Sequence, residues 1–184
     1  QWHVRTVRGE GVVDRVREFV VGSQAEGCVA DDQTGALFVA EENGGFWRYH
    51  ASAESGDERR EIDRVGGESG LVADIEGVAI WHGEDGRGYI VLSNQGASSY
   101  ALYRRDGGNA FVGMFQIKDD PTGEIDGASE TDGLDVTSRP LGPRFPNGML
   151  VVQDGSNLPA GQNQNFKFVS WREVVDVLGL TDGG

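Results

Sequence analysis

Short apolar runs separated by turn residues set the rhythm of this chain. Val78 to Trp81 and Tyr89 to Leu92 flank the turn Gly83-Glu84-Asp85-Gly86, a spacing that predicts two antiparallel strands joined by a tight loop. Upstream, Gln24-Ala25-Glu26-Gly27 opens an apolar stretch, a turn runs from Asp31 to Gly35, and Ala36-Leu37-Phe38-Val39-Ala40 follows, ending in Glu41-Glu42. Downstream, Thr131-Asp132-Gly133-Leu134-Asp135-Val136 opens a strand, and Met149-Leu150-Val151-Val152 answers it after a longer loop, ending in Gln153-Asp154-Gly155. Each pair is followed by an aromatic third strand: Phe46-Trp47-Arg48-Tyr49, Tyr100-Ala101-Leu102-Tyr103 and Phe166-Lys167-Phe168.

The pattern therefore repeats about every 50 to 56 residues, with an acid before glycine each time: Glu26-Gly27, Glu76-Gly77, Asp132-Gly133. Periods of that size built from short strands mean propeller blades. The expected fold is all-β, a partial β-propeller of about three blades plus part of a fourth, filling residues 1–184 with repeats at 23–65, 69–118 and 130–170. Residues 2–7 and 12–20 are predicted as outer strands of a further blade, and Trp171 to Leu178 as a short amphipathic helix capped by Ser170 and ended by Gly179. The 29 glycines against 5 prolines suit many tight turns rather than a disordered linker. Three blades and a piece cannot close a ring of about four to eight, so the expectation is a longer chain, or assembly with another copy.

Charge narrows the function. A net charge of −14 leaves no basic footprint for nucleic acid, and no segment resembles a membrane span or a signal peptide. The single cysteine, Cys28, excludes an internal disulfide and is expected to be a buried, inert thiol. His3, His50 and His82 are scattered without paired spacing, which argues against zinc and for surface or edge positions.

The hairpin logic brings Asp74 and Glu76, at the start of one strand, beside Gln95, at the end of its partner. In a propeller the first strands converge on the central channel, so Glu26, Asp74, Glu76 and Asp132 would face one another. With Glu42, Gln95 and Asp126 this is an oxygen-only set suited to Ca2+, or else a wet acidic channel mouth. The acid-rich run Asp126 to Asp132 could supply ligands or be a solvated loop. The turn Asp154-Gly155-Ser156-Asn157 could close a further cation site or be ordinary Asx-turn chemistry. The aromatics Trp47, Tyr49, Tyr100, Tyr103, Phe166 and Phe168 sit at strand spacing and are expected in the core.

Six motifs carry a family resemblance. Ser23-Gln24-Ala25-Glu26-Gly27, Ala40-Glu41-Glu42, Asp74-Ile75-Glu76-Gly77 and Asn94-Gln95-Gly96-Ala97-Ser98-Ser99-Tyr100 are similar to those of the β-propeller (alkaline) phytases, here their C-terminal half. So are Asp126-Gly127-Ala128-Ser129-Glu130-Thr131-Asp132-Gly133 and Gln164-Asn165-Phe166-Lys167. The resemblance implies a six-bladed, secreted or periplasmic enzyme that uses several Ca2+ ions to hydrolyse phytate (myo-inositol hexakisphosphate), free or as its calcium complex, by direct attack of a calcium-bound water. It places Glu26, Glu42, Asp74, Glu76, Gln95 and Asp126 on the active-site Ca2+ ligands or their immediate partners. It places Asp132 on a further acid of the same cleft, and Asp154 and Asn157 on a stabilising Ca2+ site. Glu42, Glu76 and Asp132 are the implied catalytic residues, Glu42 to orient the water or protonate the leaving alkoxide.

The chain departs from the family in three respects. The phosphate-gripping lysines, arginine and tyrosine have no counterpart here, the loop before Asp126 is about two residues longer, and Ser156 stands where an acid is frequent. The 184 residues alone are therefore expected to be weak or inactive. The competing readings are a propeller lactonase or dehydrogenase with one central metal, and a non-catalytic Ca2+-stabilised binding propeller.

Overall fold

The run Tyr89 to Leu92 shows no polar alternation because both of its faces are covered. In the computed structural model, which describes residues 1–158, 161 and 163–180, all 7 residues of the strand Gly88–Asn94 are buried. Pro159, Ala160 and Gln162, inside the third expected repeat, and residues 181–184 lie outside the described residues.

Among the described residues the fold is all-β with one short α-helix. A hairpin of β1 (Trp2–Val7) and β2 (Glu10–Arg15) stands by itself. A first four-stranded antiparallel sheet follows: β3 (Ala25–Asp31), β4 (Ala36–Glu41), β5 (Gly45–His50) and β6 (Arg59–Arg64). The second has β7 (Ile75–His82), β8 (Gly88–Asn94), β9 (Ser99–Arg104) and β10 (Phe111–Phe115). The third has three strands, β11 (Leu134–Thr137), β12 (Met149–Asp154) and β13 (Asn165–Ser170), and runs into α1 (Trp171–Leu178). The first strand of the second sheet, β7, touches those of its neighbours, β3 and β11, the arrangement of blades in a partial propeller.

The second sheet is the middle layer. Ile90, Leu92, Ala101 and Tyr103 pack on Phe38, Phe46 and Leu71 toward the first sheet. Tyr89, Val91, Tyr100 and Leu102 pack on Val136, Leu150, Val152 and Trp171 toward the third. Trp171 anchors α1 by stacking on Trp81, with ring centroids 5.2 Å apart and planes 11° from parallel. Ser170 occupies the cap position of α1, but its hydroxyl makes no capping bond. The first helical N–H, of Trp171, instead donates to the Gly148 carbonyl at 3.1 Å. Gly179 ends the helix in the left-handed region, φ 63°, as expected.

Several details differ from the sequence reading. The second N-terminal strand ends at Arg15 rather than at residue 20. Beyond it the chain crosses the first sheet, where Arg17 donates to the carbonyls of His50 (2.7 Å), Ser52 (3.2 Å) and Gly56, and Phe19 packs on Tyr49. Cys28 is exposed. On β3, an edge strand, Val29 faces the core while Cys28 and Ala30 point the other way. Tyr49, Tyr100 and Tyr103 are core residues, but Phe166 and Phe168, on the edge strand β13, are more than 60% exposed. The three histidines lie exposed, as expected.

A fully buried ion pair ties the first two sheets together. Arg105, beyond β9, grips Asp31, at the end of β3, with two hydrogen bonds of 2.7 Å. Its remaining donors reach Gln33 Oε1 at 2.8 Å and the Arg87 carbonyl at 3.2 Å. Burial pushes the Asp31 carboxyl up, but hydrogen bonds from Arg105 and Thr34 outweigh it and hold the pKa at about 2. The pair's contribution is thus present above pH 3.8, the ordinary value, and is lost as pH falls through about 2. Arg105→Met leaves Asp31 buried without its countercharge and is expected to cost about 3–5 kcal/mol in urea unfolding. A loss below about 1 kcal/mol, the ceiling for an exposed pair, would contradict this role.

Candidate functional site

The acid-glycine pairs sit where the first strands of the sheets meet. β3 shifts register between Ala25 and Cys28, and β7 between Ile75 and Val78, so Glu26-Gly27 and Glu76-Gly77 both form bulges. The glycines are required by close backbone approach. A Cβ on Gly27 would lie 2.5 Å from the Glu76 carbonyl oxygen, and one on Gly77 would lie 2.7 Å from that of Asp132. The Gly77 N–H donates to the same Asp132 oxygen at 2.8 Å. Backbone contact across the strands thereby lines up Glu26, Glu76 and Asp132 at one end of the sheets.

Asp74, Gln95 and Asp132 line a cavity of about 380 Å3 together with Ser98, Glu130 and Gln164. Asp74 (φ 77°), Ser98 (φ 45°) and Glu130 (φ 47°) all hold left-handed backbone, so strain is concentrated round this opening. The N–H groups of Asp74 and Ile75 donate to the Glu42 carbonyl at 3.0 and 3.3 Å, which sets Glu42 beside the start of β7. The Gln95 amide donates to Asp132 Oδ1, and Gln24 to Glu26 Oε1.

Glu76 carries the electrostatic signature of the site. Burial, then the charges of Glu26 and Asp132, a hydrogen bond with Glu26 and the charge of Asp74, raise its pKa to about 7. No basic side chain is among these influences. The donors are carboxylates and one amide, the chemistry that Ca2+ selects. Among the described residues, no three His, Cys, Asp or Glu side chains converge to hold an ion. The set thus fits a hard cation in donor type and charge.

The remaining residues singled out in the sequence fall elsewhere. Asp126 and Asp154 share Lys167, which is 7% exposed. Its ammonium bonds Asp126 Oδ1 and lies 3.0 Å from Asp154 Oδ2. Asp126 Oδ2 accepts the Leu158 N–H at 2.6 Å, and Asp154 Oδ1 that of Ser129 at 3.1 Å. Lys167 and the Leu158 N–H hold the Asp126 pKa below its ordinary value. Asn157 Oδ1 accepts from Asn165 at 2.8 Å, while its amide donates to the Asn163 carbonyl at 2.9 Å. Two groups result: Glu26, Glu42, Asp74, Glu76, Gln95 and Asp132 at the sheet junction, and Asp126 and Asp154 on Lys167, with Asn157 held by Asn165.

Sequence reasoning passed over Ser98, Glu130 and Glu41. The first two line the opening through left-handed backbone, which has no residue signature at serine or glutamate. Glu41, next to Glu42, is 4% exposed and paired with Arg59. Strand alternation after Leu37 and Val39 places it on the face opposite Phe38.

Comparison with known proteins follows the same lines. A family model described as Phytase matches residues 4–182. A curated relative, the 3-phytase of Bacillus subtilis (strain 168), is 46% identical over 175 residues, covering 93% of this chain and 45% of that protein. The chain thus spans about half the length of the curated relative it matches.

Because the Glu76 pKa is raised in the folded state from 4.5 to about 7, its protonated form supports folding. That support is complete below pH 4.5 and is lost as pH rises through 7. In chelator, the melting temperature is expected to fall by roughly 2–4 °C for each 1 kcal/mol lost over that interval. Glu76→Gln is expected to flatten the fall, and an unchanged slope in that variant would contradict the assignment.

Proposed function

The chain belongs to the phytase family, and from that premise we propose that it carries the cation-holding part of a site for hydrolysing phosphomonoesters of phytate. The observation that supports this reading is the crowding of Glu76 by Glu26, Asp132 and Asp74 without a countercharge. Such a group is stable in its charged form only with a cation among its members.

Glu26, Glu42, Asp74, Glu76, Gln95 and Asp132 are the residues that would hold Ca2+. Bound there, Ca2+ would supply countercharge to phosphate oxygens and make water acidic enough to act as a nucleophile near neutral pH. The chain's own residues have distinct tasks. Glu76, its pKa raised to about 7, is partly protonated near neutral pH and would lose that proton if a cation bound. The Gln95 amide fixes the direction of the Asp132 carboxylate. Glu42, set beside Asp74 through its backbone, is the carboxylate we assign to orient water or to protonate the leaving alkoxide. A bare acidic rim repels phytate, so substrate approach depends on that charge being neutralised.

The second group fits a cation less well. Lys167 already supplies positive charge between Asp126 and Asp154, and Asn157 Oδ1 is taken by Asn165. No catalytic role follows for these three. A lactonase or dehydrogenase reading finds no support, because His3, His50 and His82 lie outside this opening. With the chain spanning about half of its relative, we propose that further blades complete the ring and supply the cationic groups that grip phosphate.

Phosphate release from phytate during a Ca2+ titration tests the proposal. The chain as part of a completed ring is expected to turn over only with Ca2+, and Asp132→Asn to lose on the order of 100-fold. The 184 residues alone are expected to release little. Turnover that survives a chelator would contradict the reading. Ca2+-dependent stabilisation without turnover in the completed ring would point to a binding propeller instead.

A further inference from the structure

We infer that Arg59 and Glu41 form a latch that positions the acidic rim, an inference that rests on reading the rim as a cation site. Glu41 is the last residue of β4, directly before Glu42. Its side chain is 6% exposed, and Oε2 lies 2.9 Å from Arg59 Nη1. Oε1 accepts the Ser23 hydroxyl at 3.2 Å, and the carboxylate also accepts the Gly22 N–H. Gly22 and Gly44 close round the carboxylate: a Cβ on Gly22 would lie 2.6 Å from Oε1, and one on Gly44 would overlap the carboxyl group.

Arg59 reaches this point along the sheet face rather than from a neighbouring position. Its guanidinium lies 3.8 Å over the Trp47 ring, with Nη1 3.4 Å from the Tyr49 hydroxyl. The stack holds the fork in one direction, so its charge is delivered to a fixed place. The Glu41 carboxylate is thereby committed within the chain and is not a further rim ligand.

The latch connects directly to the site. Ser23 Oγ also accepts the Asn43 N–H at 3.4 Å, and the Glu42 N–H donates to the Gln24 carbonyl at 2.9 Å. Segments 22–24 and 41–44 are therefore laced into one unit. At one end of it Gln24 bonds Glu26, and at the other the Glu42 carbonyl takes the N–H groups of Asp74 and Ile75. Three rim acids thus take their places from a unit whose only cation in these contacts is Arg59. Neither Arg59 nor Glu41 touches the cavity between Asp74 and Asp132, so both act as positioning residues.

Calorimetric titration of the chain with Ca2+ separates positioning from mere support of the fold. Arg59→Met and Glu41→Gln are each expected to raise the Ca2+ Kd about tenfold. The double variant is expected to cost no more than either alone, because the two act as one unit. Ser23→Ala, a milder change that keeps the ion pair, is expected to raise Kd in the same direction by less than the roughly tenfold of the ion-pair variants, and keeps the test open should Arg59→Met fail to fold. A lower melting temperature with an unchanged Kd in these variants would overturn the latch and leave a structural ion pair. No Ca2+ binding by the unchanged chain would overturn the cation reading itself, and the latch with it.

Discussion

Two backbone contacts with no side chain between them, at Gly27 and Gly77, determine the geometry on which the rest depends. Each lets the first strand of one sheet touch the first strand of the next. The residue before each glycine is an acid, so the contact that joins the sheets also sets carboxylates side by side. The bulges at the same positions interrupt regular pairing and re-aim those side chains. Away from this junction the sheets spread, and the space between them is filled by apolar cores on either side of β8 and β9. Sheet association thus supplies the stability against which like charges are held together.

The distribution of cations separates structural acids from functional ones. Asp31 has Arg105, Glu41 has Arg59, and Asp126 and Asp154 share Lys167. Each is a well-buried or hydrogen-bonded carboxylate whose charge is settled inside the chain. Glu76 is the exception: burial and three neighbouring acids act on it in the same direction, toward keeping its proton. In a chain of net charge −14 this does not reflect a general excess of acid spread over the surface. It reflects a particular junction at which no basic side chain is among the influences on Glu76, and on that the proposed cation site rests.

Much of this was legible in the sequence because it is periodic. The acid-glycine pairs recur in phase with the strands, and a repeated residue type at a repeated structural position converges by symmetry. The run Tyr89 to Leu92 is legible as a strand, and the structure adds that its missing alternation comes from burial on both faces. What the sequence could not carry are pairings between residues far apart and without a period. Lys167 meets Asp126 across 41 residues, and Arg105 meets Asp31 across 74. Cys28 was misjudged because it follows a bulge: one extra residue reverses which side chains face the core, and the period-two rule does not survive it. Phe166 and Phe168 were misjudged because apolar character alone does not say which face of an edge strand is covered.

The central claim is that the junction of β3, β7 and β11 is a cation site made by backbone contact. Long-wavelength anomalous diffraction from crystals of the chain grown with Ca2+ tests it most directly. The account predicts an anomalous peak among Asp74, Glu76, Gln95 and Asp132, whose side chains the junction gathers at one opening. An empty junction at saturating Ca2+ would contradict it.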